Sequence, residues 1–151
     1  KKSNLLFISI GYKDILKKGK ILKEKFSKYF KNIFLSAPSN DISKNRFSHK
    51  KKFLENMKKC SLGISNGGTT MLELIYLRKI VFVYPQNEKE EKFENFLRKK
   101  KYKIFIKPKK LSTNRIDQIL KINQKKSLID NLGVRRIFEI ITNNFKREKK
   151  L

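Results

Sequence analysis

Short apolar runs alternate with longer amphipathic ones along the whole chain. Asn4 to Ile10 (NLLFISI) is a continuous apolar run of strand length, the pattern of a strand covered on both faces. Lys17 to Phe30 carries Ile21, Leu22, Phe26, Tyr29 and Phe30 at helical spacing. Asn32 to Ser36 predicts a second strand. Residues 37 to 48 hold Pro38, Ser39, Asn40 and Asp41 and read as a loop, with a short strand at 44–48. Lys51 to Lys59 predicts a short helix with Phe53, Leu54 and Met57 on one side. Leu62 to Ser65 is a strand, followed by a double glycine and a helix from Thr70 to Leu77. Ile80 to Tyr84 is the most strand-like run, ended by Pro85. Glu88 to Lys100 predicts a charged helix with Phe93, Phe96 and Leu97 turned inward. A strand over Tyr102 to Ile106 follows, then helices over Asn114 to Ile122 and about Leu128 to Phe145.

Strands of this length separated by helices imply βαβ units and a parallel sheet. Right-handed crossovers then give an α/β, Rossmann-like sandwich with helices on both faces. We expect one domain over residues 1–145 and a frayed basic tail over 146–151. The 151 residues, 38% of them hydrophobic, suffice for one such core. The first residue is Lys1 rather than Met, which leaves open that the chain is a segment of something longer.

Lys and Arg number 39 against 13 Asp and Glu, a formal charge of +26. Such a charge raises the prospect of a nucleic-acid or anionic-surface partner. Yet the excess is lysine, spread over the whole chain, and Ile, Asn and Phe are abundant too. All four have A/T-rich codons, so compositional bias accounts for the profile, and nucleic acid is disfavoured as a partner. A reader of bases would draw more on arginine, whose planar fork matches guanine and phosphate. No apolar run is long enough to span a bilayer and no leader peptide is visible. The single cysteine, Cys60, rules out an internal disulfide and fits a reducing compartment, so a cytoplasmic location is expected. Cys60 itself reads as a small core residue.

The double glycine lies in "ISNGGTTMLE", at the carboxyl end of a predicted strand, where open parallel sheets bind ligands. Glycine lets an anion approach the backbone, and the start of the following helix offers unpaired N–H groups and a positive dipole end. Thr69 and Thr70 could add hydroxyl donors. The segment is neither a G-x-G-x-x-G fingerprint nor a phosphate-loop lysine motif. Spacing alone also allows a tight turn with a capping box, Thr70 capping the helix and Glu73 reaching back to it. The functional alternative gives Glu73 to the ribose hydroxyls of a nucleotide.

The run "LGISNGGTTMLELIYLRKIVFVYP" resembles the donor-binding motif in the carboxyl-terminal domain of GT-B nucleotide-sugar enzymes. The turn "IGYKD", with Gly11 and Asp14, and the segment "IDNLGVRRIFEII", with Asp130, Gly133, Arg136 and Ile137, are similar to segments of one branch. That branch holds the UDP-sugar hydrolase of pseudaminic acid synthesis and related spore-coat polysaccharide proteins. The resemblance implies that Asn66, Gly67, Gly68, Thr69 and Thr70 bind the UDP diphosphate and that Glu73 binds ribose. Gly11 and Asp14 join the substrate site. It also implies hydrolysis at the anomeric carbon, releasing UDP without a metal or other cofactor, with the catalytic His on an amino-terminal GT-B domain or partner chain. On this reading the chain by itself is inactive.

Two departures stand out. The glutamine that the family places after the proline falls here on Glu90, leaving Asn87 or Gln86 as substitutes for sugar contact. The stretch 37–60 is also short, as if one helix were missing. His49, the only histidine, is a candidate contact to base or phosphate, or else an exposed loop residue. No metal-ligand spacing is present. Glu88, Glu90, Glu91 and Glu94 read as a solvated helix face paired with Lys89, Lys92 and Arg98. Two other readings stay open: a GT-B glycosyltransferase donor domain, and a non-enzymatic basic α/β module that binds nucleic acid or anionic surfaces.

Overall fold

Runs of β-branched and aromatic residues become strands because they bury on both faces of one sheet. In a computed structural model that describes residues 4–11, 17–36, 46–99, 104–106, 112–122, 129–130, 132–133 and 135–139, five strands and five helices alternate. They are β1 (Leu5–Ser9), α1 (Lys18–Ser27), β2 (Asn32–Ser36), α2 (Arg46–Lys59), β3 (Leu62–Ser65), α3 (Thr69–Tyr76), β4 (Ile80–Val83), α4 (Glu88–Lys99), β5 (Ile104–Ile106) and α5 (Thr113–Leu120). Gly133 and residues 135–139 are also helical. The fold is the expected α/β Rossmann-like sandwich.

All strand pairs are parallel, in the order β2-β1-β3-β4-β5. The chain winds outward to β2, returns past β1 to β3, and continues the other way. The direction of winding therefore reverses between β1 and β3, which pair Ile8 with Ile64 and Ser9 with Ser65. At such a reversal the connections leave on opposite faces of the sheet and open a crevice beyond the strand ends.

Two apolar layers flank the sheet. Leu22, Phe26 and Phe30 from α1 and its end, with Ile116 and Ile119 of α5, cover Leu6, Ile8, Ile64 and Phe82. On the opposite face Met57 of α2, Met71, Leu74 and Ile75 of α3, and Leu97 of α4 cover Phe7, Val81 and Val83. A Cβ on Gly63 would lie 2.5 Å from the Leu74 side chain, so α3 sits directly on β3 and its first turn overhangs that strand's end. Cys60 is buried in this second layer and its thiol is pushed up to about 12, chiefly by burial. It is the small core residue expected, and not a thiolate at neutral pH.

The structure corrects the expected strand at 44–48: α2 already begins at Arg46, so His49 lies in its first turn and not in a loop. Asp14 and the tail 146–151 lie outside the described residues. The inner face of α4 also differs. Phe93 and Phe96 are exposed, while Glu94 and Leu97 are buried. Among the described residues no helix is long and apolar enough to cross a membrane.

Glu94 is fully buried, and among the described residues neither of its carboxylate oxygens has a hydrogen-bond partner. Burial raises its pKa above the ordinary 4.5, with Arg98 opposing the rise and Glu91 adding to it. The folded chain therefore holds a proton that the unfolded chain releases. This group's contribution to stability is complete below the ordinary glutamate range and is lost as pH rises through the raised value. Glu94→Met removes the orphaned carboxyl while keeping its volume. It should stabilise the chain at pH 8 by about 1–3 kcal/mol, and by less at pH 4.5. Urea unfolding at both pH values measures the difference, and equal gains would contradict this assignment.

Candidate functional site

Because Ser9 and Ser65 pair, β1 and β3 leave the sheet side by side. Their exits deliver Gly11 and Asn66 to one place. Gly11 has φ +91°, and a Cβ there would lie 3.4 Å from Asn66 Nδ2 and 3.7 Å from Gln86 Nε2. The left-handed backbone favours glycine at that point, while the neighbours alone would leave a Cβ in ordinary contact. The exit of β4 joins them: the Tyr84 N–H donates to Ser65 O at 2.9 Å, and the Gln86 side-chain amide donates to the Ile10 carbonyl. Three strand ends are thus laced together over the reversal point.

One carboxylate organises this lacing. Glu90, from the first turn of α4, accepts from Asn66 Nδ2 at 2.8 Å through Oε1. Through Oε2 it accepts from the Gly67 N–H at 3.3 Å and the Gln86 N–H at 2.8 Å. Two backbone amides and one side-chain amide converge on it, as donors converge on a bound anion. Asn87 precedes α4 and accepts from the Glu90 N–H at 2.9 Å, which makes it the helix cap. Its side-chain oxygen is engaged there, so Asn87 caps α4.

The two loop glycines have different reasons to be glycine. A Cβ on Gly67 would lie 2.7 Å from Glu90 Cβ and 2.8 Å from Glu90 O, so the α4 backbone rests against it. Gly67 is buried, and its N–H is already engaged by Glu90. Gly68 is different: a Cβ there would make only ordinary contacts with Asn66. It caps α3 with extended backbone and no side-chain cap. The expected capping box is therefore absent: Thr70 is the second residue of α3, and Glu73 does not return to the cap.

What remains open is the start of α3. The N–H groups of Gly68, Thr69 and Thr70 find no acceptor among the described residues, as expected of an uncapped first turn. Thr69 is exposed and Thr70 half-buried. Glu73, one turn on, is exposed, and its carboxylate makes no hydrogen bond or ion pair among the described residues. Gly11, Asn66, Gly67, Gly68, Thr69 and Thr70 are thus brought together, with Glu73 on the same helix. His49 is on α2, with a side-chain position outside the described residues.

Glu90 is the residue that the reading of α4 as a solvated face misplaced. Glu88 and Lys92 do pair in solvent at 2.7 Å. Glu90, Glu94 and Leu97, however, recur at i, i+4 and i+7, the line that faces the sheet. That stripe was visible once the carboxylates were allowed to share a face with Leu97. The third resembling segment forms a local clamp. Asp130 Oδ1 accepts from the Leu132 N–H at 3.0 Å and from Arg136 Nη1 at 3.1 Å, and the Arg136 guanidinium holds the Asp130 carboxyl below its usual range.

The contrast between the glycines is measurable. Gly67→Ala should cost about 1–3 kcal/mol by overpacking against α4, whereas Gly68→Ser should change stability by no more than about 0.5 kcal/mol. Denaturant unfolding of the two variants tests this, and equal losses would refute the packing assignment. Compared with known proteins, the chain matches no family model and no curated protein, so its function is read from the chemistry of this crevice.

Proposed function

We propose that the chain is a nucleotide-sugar-binding domain, most like the carboxyl-terminal half of a GT-B UDP-sugar hydrolase. The observation that carries the reading is the open first turn of α3 at the reversal point between β1 and β3. Three backbone donors there without acceptors among the described residues suit a phosphate. Thr69 and Thr70 can add hydroxyls, and Glu73 can accept from the hydroxyls of an attached pentose. Asn66 lies between Gly11 and Gly68, beside the start of α3.

In the proposed reaction, water displaces UDP from the anomeric carbon of the sugar. The leaving diphosphate gains negative charge as the bond breaks, and backbone N–H groups fixed before the reaction stabilise that charge without reorganising. Activation of water belongs to a second, amino-terminal GT-B domain or partner chain, and the cleft between the two completes the site. Glu90 bears on which sugar is bound, because a carboxylate stands where the resembling family has a glutamine. The same donor site would serve a GT-B glycosyltransferase. The two reactions part on whether UDP release from a nucleotide sugar requires an acceptor. With either goes a cytoplasmic location, in keeping with a single reduced cysteine.

Titration calorimetry with UDP and with inorganic pyrophosphate tests the reading. UDP should bind, and Glu73→Ala should weaken UDP on the order of tenfold, the effect of losing hydrogen bonds to a charged group, while leaving pyrophosphate unchanged. Equal weakening of both ligands would remove Glu73 from the pentose. Absence of UDP binding at millimolar concentration would defeat the proposal.

A further inference from the structure

Resting on the reading of the α3 loop as a diphosphate site, we infer that Glu90 is a built-in competitor for that site. Its carboxylate holds the part of the loop nearest α4, and the ligand has to displace it. The geometry has three parts. The Glu90 oxygens already engage the Gly67 N–H, the Gln86 N–H and the Asn66 amide. The adjoining donors of Gly68, Thr69 and Thr70 are open. The Glu90 backbone is pinned beside Gly67 by close packing and by the Asn87 cap, so the main chain stays while the side chain can rotate.

One half of an extended anion site is therefore filled by the protein and the other half is free. A single phosphate fits the free half beside Glu90 at the cost of like-charge repulsion. A diphosphate reaches both halves and must take over the donors that Glu90 holds. The repulsion grows with ligand charge, and a neutral nucleoside is indifferent to it. Displacing the carboxylate also frees the Gly67 and Gln86 amides, which tie the β3 exit to the β4 exit. Binding would then be communicated to the start of α4.

The variant that separates charge from shape is Glu90→Gln. Its amide oxygen can still accept from Gly67 or Gln86, but it carries no charge and holds those donors less tightly. Calorimetric titration of the wild-type chain and E90Q with UDP, UMP and uridine is the test. E90Q should bind UDP roughly tenfold or more tighter, improve UMP less, and leave uridine unchanged. If the wild type binds UDP and E90Q binds it equally or more weakly, the competitor role is overturned while the diphosphate site stands. If neither binds UDP, the site and the inference fall together.

A measurement on the wild type guards against a variant that folds poorly. On adding UDP, the backbone amide resonances of Gly67 and Gln86 and the side-chain amide of Asn66 should all shift as Glu90 leaves. UDP binding that moves Gly68 to Thr70 but leaves those three in place would overturn the inference.

Discussion

The direct pairing of β1 with β3 is the constraint on which the rest depends. It joins segments more than fifty residues apart in sequence, and the Ser61 N–H donation to Leu5 O fixes where that pairing begins. Place β2 between them and the winding would not reverse there, Gly11 and Asn66 would lie apart, and no crevice would exist. Pairing also explains the close spacing of the exits. With Ser9 opposite Ser65 and Val83 opposite Ser65 on the other side, three neighbouring chains emerge at one level, each one strand spacing from the next. Bare backbone exits so near one another need their polar groups satisfied, and the side chains of Gln86, Asn66 and Glu90 do so.

That requirement gives the double glycine two separate causes. Gly67 is glycine because α4 presses its backbone on the loop to bring Glu90 within reach. Gly68 has no such neighbour, and its extended backbone suits other residues too. A loop built only as a tight turn would need the first and not the second. An uncapped helix start behind the second glycine is a local cost of only about a few tenths of a kcal/mol against a serine or aspartate cap. Among the described residues nothing offsets it, whereas an anion on the free N–H groups would. The fold tolerates the loss because Met71, Leu74 and Ile75 anchor α3 through the second apolar layer.

Much of the architecture was legible from periodicity. The boundaries of β2 and β3 fall where the apolar runs begin and end, and α3 and α4 start within one residue of expectation. Such runs are short and bounded by polar residues; β3 is buried throughout and β2, at the end of the strand order, is half-buried, which marks both as strands of the sheet. The strand order was not legible, since every parallel order obeys the same local pattern. The region around Arg46 failed for a different reason. Its few apolar residues fit a strand or a helix turn equally, and continuity with the helix at Lys51 decided in favour of α2. On α4, the aromatic side chains of Phe93 and Phe96 pointed to the wrong face. Their hydrophobicity outweighed two glutamates on the line of Leu97, and tertiary packing reversed that order. A carboxylate whose task is to satisfy another loop carries no sign of it in its own neighbourhood.

The charge of the chain then takes on a finer meaning than its total. At long range an anion meets a surface with a formal excess of +26, an attraction screened over about 10 Å in ordinary salt. At the proposed site it would meet the carboxylate of Glu90, held by three donors. The lysine excess attracts any polyanion alike, whereas on the proposed reading the loop would discriminate by shape and by whether the arriving group can displace a carboxylate from the same hydrogen bonds. Attraction and selection thus reside in different residues. A polyanion held only by the surface would lose affinity steeply with salt and be indifferent to the carboxylate in the crevice. A ligand seated in the loop would, on the proposed reading, depend on Glu90 at every ionic strength, because the Glu90 contacts are partly buried and little screened.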